Sequence, residues 1–366
     1  MDLTRRAYFI ALFTLAGLFT ATLSLRPYYN WDIFPYIAIT LGPGDQHLRT
    51  FQDAAQHMPA HDFEALTARQ PVLFADPLAF HAILPYYHTK PGYTLITRLL
   101  YMTGVSATAA TYIPSLFFYF VLVLVIGSWL TNCLSYRNAL FVTLGIALLP
   151  FLSMTARFSS PDMLCAACTV AGLYLLSFYR TVWGLVLFVV SITFRPDAVL
   201  LAVPLIYCVL PCGIITRRQG WIIAIASITT TLWALGDLNL IPEYLFTLKP
   251  WTPELTIPEF MTTYLFNLIH GLPSIINSSI PIFMLITIIG WIYQTQQTKP
   301  DKFWLNCLGA ACFSIVIRYL LHPMIEDRFL IGAYVIILLG AVHIIFANRS
   351  RIQITKQPES INLSKT

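Results

Sequence analysis

The first residue whose surroundings could support chemistry is Asp32, which follows the first long apolar stretch in the segment YYNWDIFPY, residues 28–36. Aromatic side chains around a carboxylate remove part of its hydration. A partly desolvated carboxylate is a candidate general base, because its surroundings can tune its affinity for a proton. The sequence therefore predicts Asp32 as a catalytic residue.

A second carboxylate, Asp162, ends the segment RFSSPD, residues 157–162, and opens another apolar stretch. If it lies on the same membrane face as Asp32, it is a second catalytic candidate. Ser160 and Asp162 beside Pro161 also form an ordinary helix start, because serine and aspartate cap helices and proline suits the first turn. Both interpretations of Asp162 are consistent with the sequence.

Three cations occupy similar boundary positions: Lys90 before Pro91, Arg195 before Pro196, and Arg328 in the segment EDRFL. A guanidinium at membrane depth costs roughly 2 to 3 kcal/mol unless it reaches the headgroups or finds an anion. Three such cations that converge with two acids would form a candidate anion-binding site. Nonspecific contact with membrane lipid headgroups is the alternative for each cation taken singly.

Further candidates near these positions are His88, Glu326 and Asp327. No HxH or HExxH spacing occurs, so histidine spacing predicts no metal site. Asp197 follows Arg195 and Pro196, and is predicted to be a helix-start residue.

The composition identifies the class of protein that must position these groups. Of 366 residues, 57% are hydrophobic and only 11% are charged, which is far from a soluble composition. It excludes a nucleic-acid binder, a secreted disulfide scaffold and a peripheral enzyme with a single anchor. The seven cysteines lie in apolar stretches or at an inner boundary, and the Cys165–Cys168 CxxC is predicted to be a close-packing position on a helix.

Ten charge-free stretches are candidates to cross a ~30 Å hydrocarbon core as helices. They cover residues 8–25, 109–131, 138–156, 163–179, 181–194, 198–216, 219–236, 271–293, 303–317 and 329–347. An eleventh stretch, Pro91–Gly104, is short and carries Arg98. The fold class predicted is all-α, a polytopic transmembrane bundle of about ten helices within residues 1–347, followed by a short tail at 348–366.

The distribution of charge decides whether residues 91–104 cross the membrane. With this segment on the outer surface and the amino terminus inside, inner segments hold twelve of the 22 Lys and Arg but only three acids. Outer segments then hold the other ten cations and fourteen acids. Because inner loops carry the excess of Lys and Arg, we predict ten spans, with both termini in the cytoplasm.

Two outer loops, 26–108 and 237–270, contain most of the extramembrane residues, so function is expected there. In the first loop Leu48, Phe51, Ala55 and Met58 recur at helical spacing, which predicts amphipathic helices on the membrane surface. A loop that packs on itself is the alternative. No Walker-type or GxGxxG loop is present, so the chain is not expected to hydrolyse nucleotides.

In layout and short motifs the chain resembles GT-C class integral-membrane glycosyltransferases, near the protein O-mannosyltransferase and lipid A aminoarabinose transferase branch. The features shared are an aspartate after the first helix (Asp32), a Lys-Pro pair before an apolar surface helix (Lys90), and an acid that opens a helix (Asp162). Arg195-Pro196 and the EDRFL segment match two later motifs. The acid after the first helix is single instead of an adjacent pair, so no cofactor is certain and a divalent metal stays an open alternative.

The resemblance implies a polyprenyl-phosphate-linked sugar as donor and a lipid, glycan or protein as acceptor, with no nucleic-acid partner. Asp32 and Asp162 would be catalytic, while Lys90, Arg195 and Arg328 would hold the donor phosphate. A lipid or glycolipid transporter, or flippase, is the main alternative, and a structural subunit is a third. The scarcity of outer glycosylation sites favours a bacterial inner membrane over the endoplasmic reticulum.

Overall fold

The computed structural model describes residues 3–178, 180–236, 256–297, 300–323 and 326–355, with side chains described up to residue 346. Within these ranges the chain is all-helical and has no strand, apart from an isolated parallel bridge between Tyr28 and Phe158. The predicted all-α class is therefore confirmed. The outer loop at 237–270 lies outside the described residues as far as residue 255.

The described residues form eighteen α-helices. In chain order they are α1 Leu3–Ser24, α2 Ile33–Leu41, α3 Gln46–His57, α4 Ala60–Arg69, α5 Pro71–Ala75, α6 Pro77–His88, α7 Pro91–Met102, α8 Ala107–Leu130, α9 Tyr136–Ala147, α10 Pro150–Thr155, α11 Asp162–Ser177, α12 Thr181–Phe194, α13 Val199–Val209, α14 Arg217–Leu235, α15 Ile257–Asn277, α16 Ile280–Thr295, α17 Lys302–Leu321 and α18 Ile331–Thr355. Short 3₁₀ turns cover Pro196–Ala198, Leu210–Cys212 and Asp327–Leu330.

Four described helices are long and apolar enough to cross a membrane: Leu3–Ser24, Ala107–Leu130, Lys302–Leu321 and Asp327–Phe346. A bent pair, Ile257–Asn277 with Ile280–Thr295, makes a fifth candidate if it is counted as one span. Several shorter apolar helices, α11, α12 and the segment Pro196–Cys212, accompany them. The chain is thus a helical membrane protein with four or five candidate spans, and ten spans stays a prediction.

Two predicted spans are interrupted in the structure. The stretch 138–156 is divided into α9 and α10, because Pro150 cannot continue the helix before it and takes the first position of a new one. The predicted span 271–293 begins at the wrong residue and is interrupted, although its predicted end lies within two residues of the end of α16. Its helix begins at Ile257, where Thr256 and Glu259 form a capping box, and the chain bends by 73° between α15 and α16.

The first outer loop packs largely on itself. Phe51 and Ala54 of α3, with Met58 directly after it, are buried against Ile33 and Phe34 of α2, so α3 contacts protein with its apolar face. The predicted face was partly wrong, because Leu48 and Ala55 are exposed. Leu66 of α4, with Phe80 and Leu84 of α6, belongs to the same buried hydrophobic cluster as these residues of α2 and α3.

Helix α7 covers the segment that decides the topology. Its 12 residues span about 18 Å at 1.5 Å per residue, too short for a hydrocarbon core. It packs against α2, α8 and α12, and Arg98 donates a hydrogen bond to the Ile39 carbonyl 3.0 Å away. The length of α7 is compatible with the prediction that residues 91–104 do not cross the membrane, and their sidedness stays a prediction.

The candidate site residues cluster at one end of the main bundle. Asp162 is the first residue of α11, Arg195 follows the last residue of α12, and Arg328 lies in the turn that precedes α18. Helix α11 packs against α8, α12 and α18. The helix ends therefore bring together residues that are far apart in sequence.

A charged cavity at the end of the bundle

Asp32 directly precedes α2, and its carboxylate is held from three directions. Tyr87 donates its hydroxyl to Oδ1 at 2.8 Å, and Asn30 donates its side-chain amide to Oδ2 at 2.7 Å. Arg328 Nη1 also lies 2.8 Å from Oδ2. Burial raises the pKa of Asp32, but the charge and hydrogen bond of Arg328, helped by Tyr87 and Lys90, lower it further, so the net pKa lies below its ordinary value.

This result corrects one part of the sequence argument. The aromatic surroundings do desolvate Asp32, but the ion pair with Arg328 stabilises the ionised carboxylate more than burial disfavours it. A carboxylate that is paired in this way is a weak base. Asp32 can gain basicity only if Arg328 moves to another anion.

Arg328 contacts three carboxylates at once. Besides Asp32, its Nε atom forms an ion pair with Glu326 and lies 3.8 Å from Asp162 Oδ2. The side chain is 12% exposed, and its guanidinium lies 4.9 Å from the ring centre of Phe329 and 5.5 Å from that of Phe158. The guanidinium group of Arg328 stays charged beside these carboxylates, because arginine is not deprotonated in proteins.

A second ion-pair chain fixes Arg195. Arg195 forms an ion pair with Asp162, and its Nε and Nη2 atoms lie 2.9 and 2.7 Å from the two carboxylate oxygens of Asp197. Arg318 Nε also lies 3.0 Å from Asp197 Oδ2. Burial raises the pKa of Asp197, but Arg195 and Arg318 hold it well below its usual range.

Asp197 and Arg318 are two charged residues of the site that sequence reasoning missed. Asp197 was predicted to be only a helix-start residue, whereas it orients the guanidinium of Arg195 with both oxygens. The sequence signal that could have found it is the spacing Arg-Pro-Asp, which places a carboxylate two residues from a buried cation. Arg318, in the last turn of α17, carries no such local signal.

Lys90 is buried among tyrosines, with 5% of its surface exposed. Its Nζ atom lies 4.1 Å from the ring centre of Tyr86, 4.9 Å from Tyr87 and 5.9 Å from Tyr36. It also donates to the Tyr86 carbonyl at 3.3 Å. Burial, and next the charge of Arg195, lower the pKa of Lys90 to about 7, although nearby carboxylates raise it in part.

The close packing of α7 on α12 explains why Lys90 approaches Arg195. A side chain at Gly92 would place its Cβ only 2.3 Å from Thr193 Oγ1 and 2.9 Å from the Phe194 ring. The start of α7 can therefore press against the end of α12 only because residue 92 is glycine.

A small cavity of about 50 Å³ brings together all five residues predicted to be catalytic or phosphate-binding. Its walls are formed by Asp32, Tyr36, Tyr86, Tyr87, Lys90, Ser160, Pro161, Asp162, Arg195, Arg328 and Phe329. Three cations and two carboxylates thus face one space. We call it the charged cavity.

An apolar groove of about 570 Å³ meets the charged cavity at Arg328. Its walls are formed by Leu149, Pro150, Phe151, Met154, Thr155, Phe158, Ser279, Ile282, Phe283, Ile286, Glu326, Asp327, Arg328 and Leu338. Arg328 lines both spaces. A molecule with an apolar tail and an anionic head could therefore place its head beside the cations.

The three remaining candidates lie outside the charged cavity. His88 is exposed at the end of α6, and partial desolvation of its ring, followed by the charge of Arg98, lowers its pKa. Glu326 is partly exposed and pairs with Arg328. Asp327 accepts hydrogen bonds from the Ser279 backbone and hydroxyl at 3.0 and 2.7 Å. Its side chain therefore binds the residue that precedes α16 and does not face the charged cavity.

The acids of the cavity do not fit a divalent metal ion. Asp32 and Asp162 are each paired with arginine, so their charges are already compensated. Among the described residues no group of three or more His, Cys, Asp or Glu side chains could hold a metal. The seven cysteines are free thiols, and Cys165 and Cys168 lie on the packed helix α11.

Comparison with known proteins identifies no relative. No protein-family model, no curated protein and no solved structure matches this chain.

Proposed function

We propose that this protein is a membrane glycosyltransferase of GT-C type, which moves a sugar from a polyprenyl-phosphate donor to a hydroxyl or amine of an acceptor. The observation that carries the proposal is the junction of the charged cavity with the apolar groove at Arg328. The reaction takes place on the outer face of a bacterial inner membrane, with the ten-span topology that the loop charges favour.

The donor binds across the junction. Its prenyl chain lies in the apolar groove, where burial of hydrocarbon stabilises it by about 25 cal/mol per Å². Its phosphate lies beside Arg328, within the reach of Lys90 and Arg195, because these cations line the adjoining cavity. Charge-assisted hydrogen bonds from guanidinium groups suit a phosphate well.

Donor binding also prepares the base. When the phosphate attracts Arg328, the ion pair between Arg328 and Asp32 weakens, and the pKa of Asp32 rises because the charge that lowers it has moved. Asp32 gains basicity only after the donor is present. The enzyme therefore couples acceptor activation to donor binding.

Transfer then follows in one displacement. Asp32 accepts the proton of the acceptor hydroxyl or amine while the acceptor atom attacks the anomeric carbon. The bond between that carbon and the phosphate oxygen breaks, and Lys90, Arg195 and Arg328 stabilise the departing polyprenyl phosphate. A general base contributes about 10² to 10⁴ in rate, and a preorganised charge about 10² to 10³.

The position of the charges favours an enzyme over a transporter. Transporters place ionisable groups near the bilayer midplane, often on broken helices. Here Asp162, Arg195 and Arg328 lie at helix ends. These positions favour chemistry at a membrane surface.

The experiment is incubation of the purified protein, in lipid nanodiscs, with radiolabelled polyprenyl-phosphate sugars and candidate acceptors. We expect label to pass from the lipid to an acceptor. If no sugar is transferred and the protein instead moves labelled lipid across liposome membranes, the result contradicts the proposed glycosyltransferase and supports a flippase.

A further inference from the structure

Two polar atoms in the charged cavity have no hydrogen-bond partner among the described residues. They are the hydroxyl oxygen of Ser160 and the Oδ2 atom of Asp162. Ser160 is 2% exposed and Asp162 is 3% exposed, and both residues line the charged cavity. Arg328 Nε lies 3.8 Å from Asp162 Oδ2, beyond hydrogen-bond distance.

Two neighbouring serines, unlike Ser160, have hydrogen-bond partners for their hydroxyl groups. The preceding serine, Ser159, forms a hydrogen bond with Thr111 at 3.0 Å. Ser115 donates to the carbonyl oxygen of Ser160 at 2.7 Å and so fixes the backbone there. Only the Ser160 hydroxyl, within this described group, is left without a protein partner.

A buried polar atom without a partner is costly, so it calls for one from a ligand or water. The cavity of about 50 Å³ is large enough to admit polar atoms between these residues. Asp162 Oδ2 requires a donor, whereas a serine hydroxyl can accept or donate. A hydroxyl group satisfies both atoms at once, because it donates to the carboxylate and exchanges a hydrogen bond with the serine.

We propose that Ser160 and Asp162 form a hydroxyl-binding subsite for the sugar of the donor. This inference rests on the proposed function. Lys90, Arg195 and Arg328 line the same cavity and hold the phosphate there. The sugar is bonded to that phosphate, so its hydroxyls must lie beside these walls. An acceptor hydroxyl has the same chemistry and is the other source to be tested.

The experiment compares two lipids on Ser160→Ala protein in nanodiscs. One lipid is bare polyprenyl phosphate, and the other is polyprenyl-phosphate mannose or glucose. We expect the variant to bind the glycosylated lipid about three- to tenfold more weakly, since one hydrogen bond is lost. Binding of the bare lipid should be unchanged, which also shows that the variant is folded.

Ser159→Ala is the matched control, because its hydroxyl bonds to Thr111 and does not line the charged cavity. It should preserve the preference of the wild type for the glycosylated lipid. In Ser160→Ala, the same change for both lipids, or for neither, would overturn the subsite.

The remaining outcomes separate this inference from the proposed function. If Ser160→Ala leaves the donor affinity unchanged but raises KM for the acceptor, the sugar assignment is overturned and the acceptor hydroxyl is placed at Ser160. Wild-type protein that binds bare lipid but gains nothing from the sugar would overturn the subsite alone. Wild-type protein that binds neither lipid would overturn both.

Discussion

The donor affinity of this protein should fall as the pH rises through about 7. Burial lowers the pKa of Lys90 to about 7, and only the protonated amine attracts phosphate. From about pH 6 to about pH 8, the protonated fraction of such a group falls from roughly nine tenths to roughly one tenth. If binding requires the charged amine, the affinity should fall about tenfold across this range.

The assay is titration of a polyprenyl-phosphate hexose into protein in nanodiscs at several pH values. Its phosphodiester keeps a single negative charge throughout, so the ligand does not contribute to the change. Lys90→Met should give a weak affinity that varies little with pH. Lys90→Arg should keep the affinity of the charged state at high pH, because arginine stays protonated.

Unfolding should not cause the loss of affinity. An unfolded lysine has a pKa of about 10.4, and the folded Lys90 has a pKa of about 7. Between these values the unfolded chain binds more protons, so the contribution of Lys90 to stability rises with pH. An affinity that is constant in wild type from pH 6 to pH 8 would refute the assignment of Lys90 to the phosphate.

Three further variants test the surrounding structure. Asp197→Asn should lower the free energy of unfolding by about 3 to 5 kcal/mol, because it leaves two buried arginines without their shared carboxylate; a change below about 1 kcal/mol in chemical denaturation would contradict that role. Arg328→Gln should weaken donor binding at least tenfold, and equal affinity in both proteins would remove Arg328 from the phosphate site. Ile282→Trp should reduce affinity for long prenyl chains more than for short ones, because Ile282 lines the groove. Ile289→Trp is the control, because Ile289 is exposed on the same helix and does not line the groove. An equal loss of affinity in both variants would argue against binding of the prenyl chain in the groove.

The sequence predicted the charged cavity better than the fold around it. Asp32, Lys90 and Arg328 each stood beside prolines or aromatic residues at the end of an apolar stretch, which marks a charge held at a boundary. Such local signals are readable because burying a charge is costly and must be compensated nearby. The prediction that they converge rested on placing all of them on one side of the membrane.

The contacts that hold the cavity together could not be predicted in the same way. The pairing of Asp197 with Arg318 depends on how α13 and α17 pack, and no local pattern records that packing. The lowered pKa of Asp32 has the same origin, because Arg328 reaches it from nearly three hundred residues away in sequence.

Helix boundaries were the least predictable part of the fold. Hydropathy identified the stretch 138–156 but not its break, which depends on Pro150. It placed a span at 271–293, whereas a capping box at Thr256 begins α15 much earlier. Apolar composition alone does not record caps and bends, which depend on single residues.

The most direct test of the proposed chemistry is transfer by Asp32→Asn protein under single-turnover conditions, with donor affinity measured in parallel. Asparagine keeps the shape of aspartate but cannot accept the acceptor proton. We expect the rate to fall by about 10² to 10⁴, while donor affinity is kept or increased, because Arg328 loses one of its three carboxylate contacts. Transfer by Asp32→Asn at the wild-type rate would contradict the account.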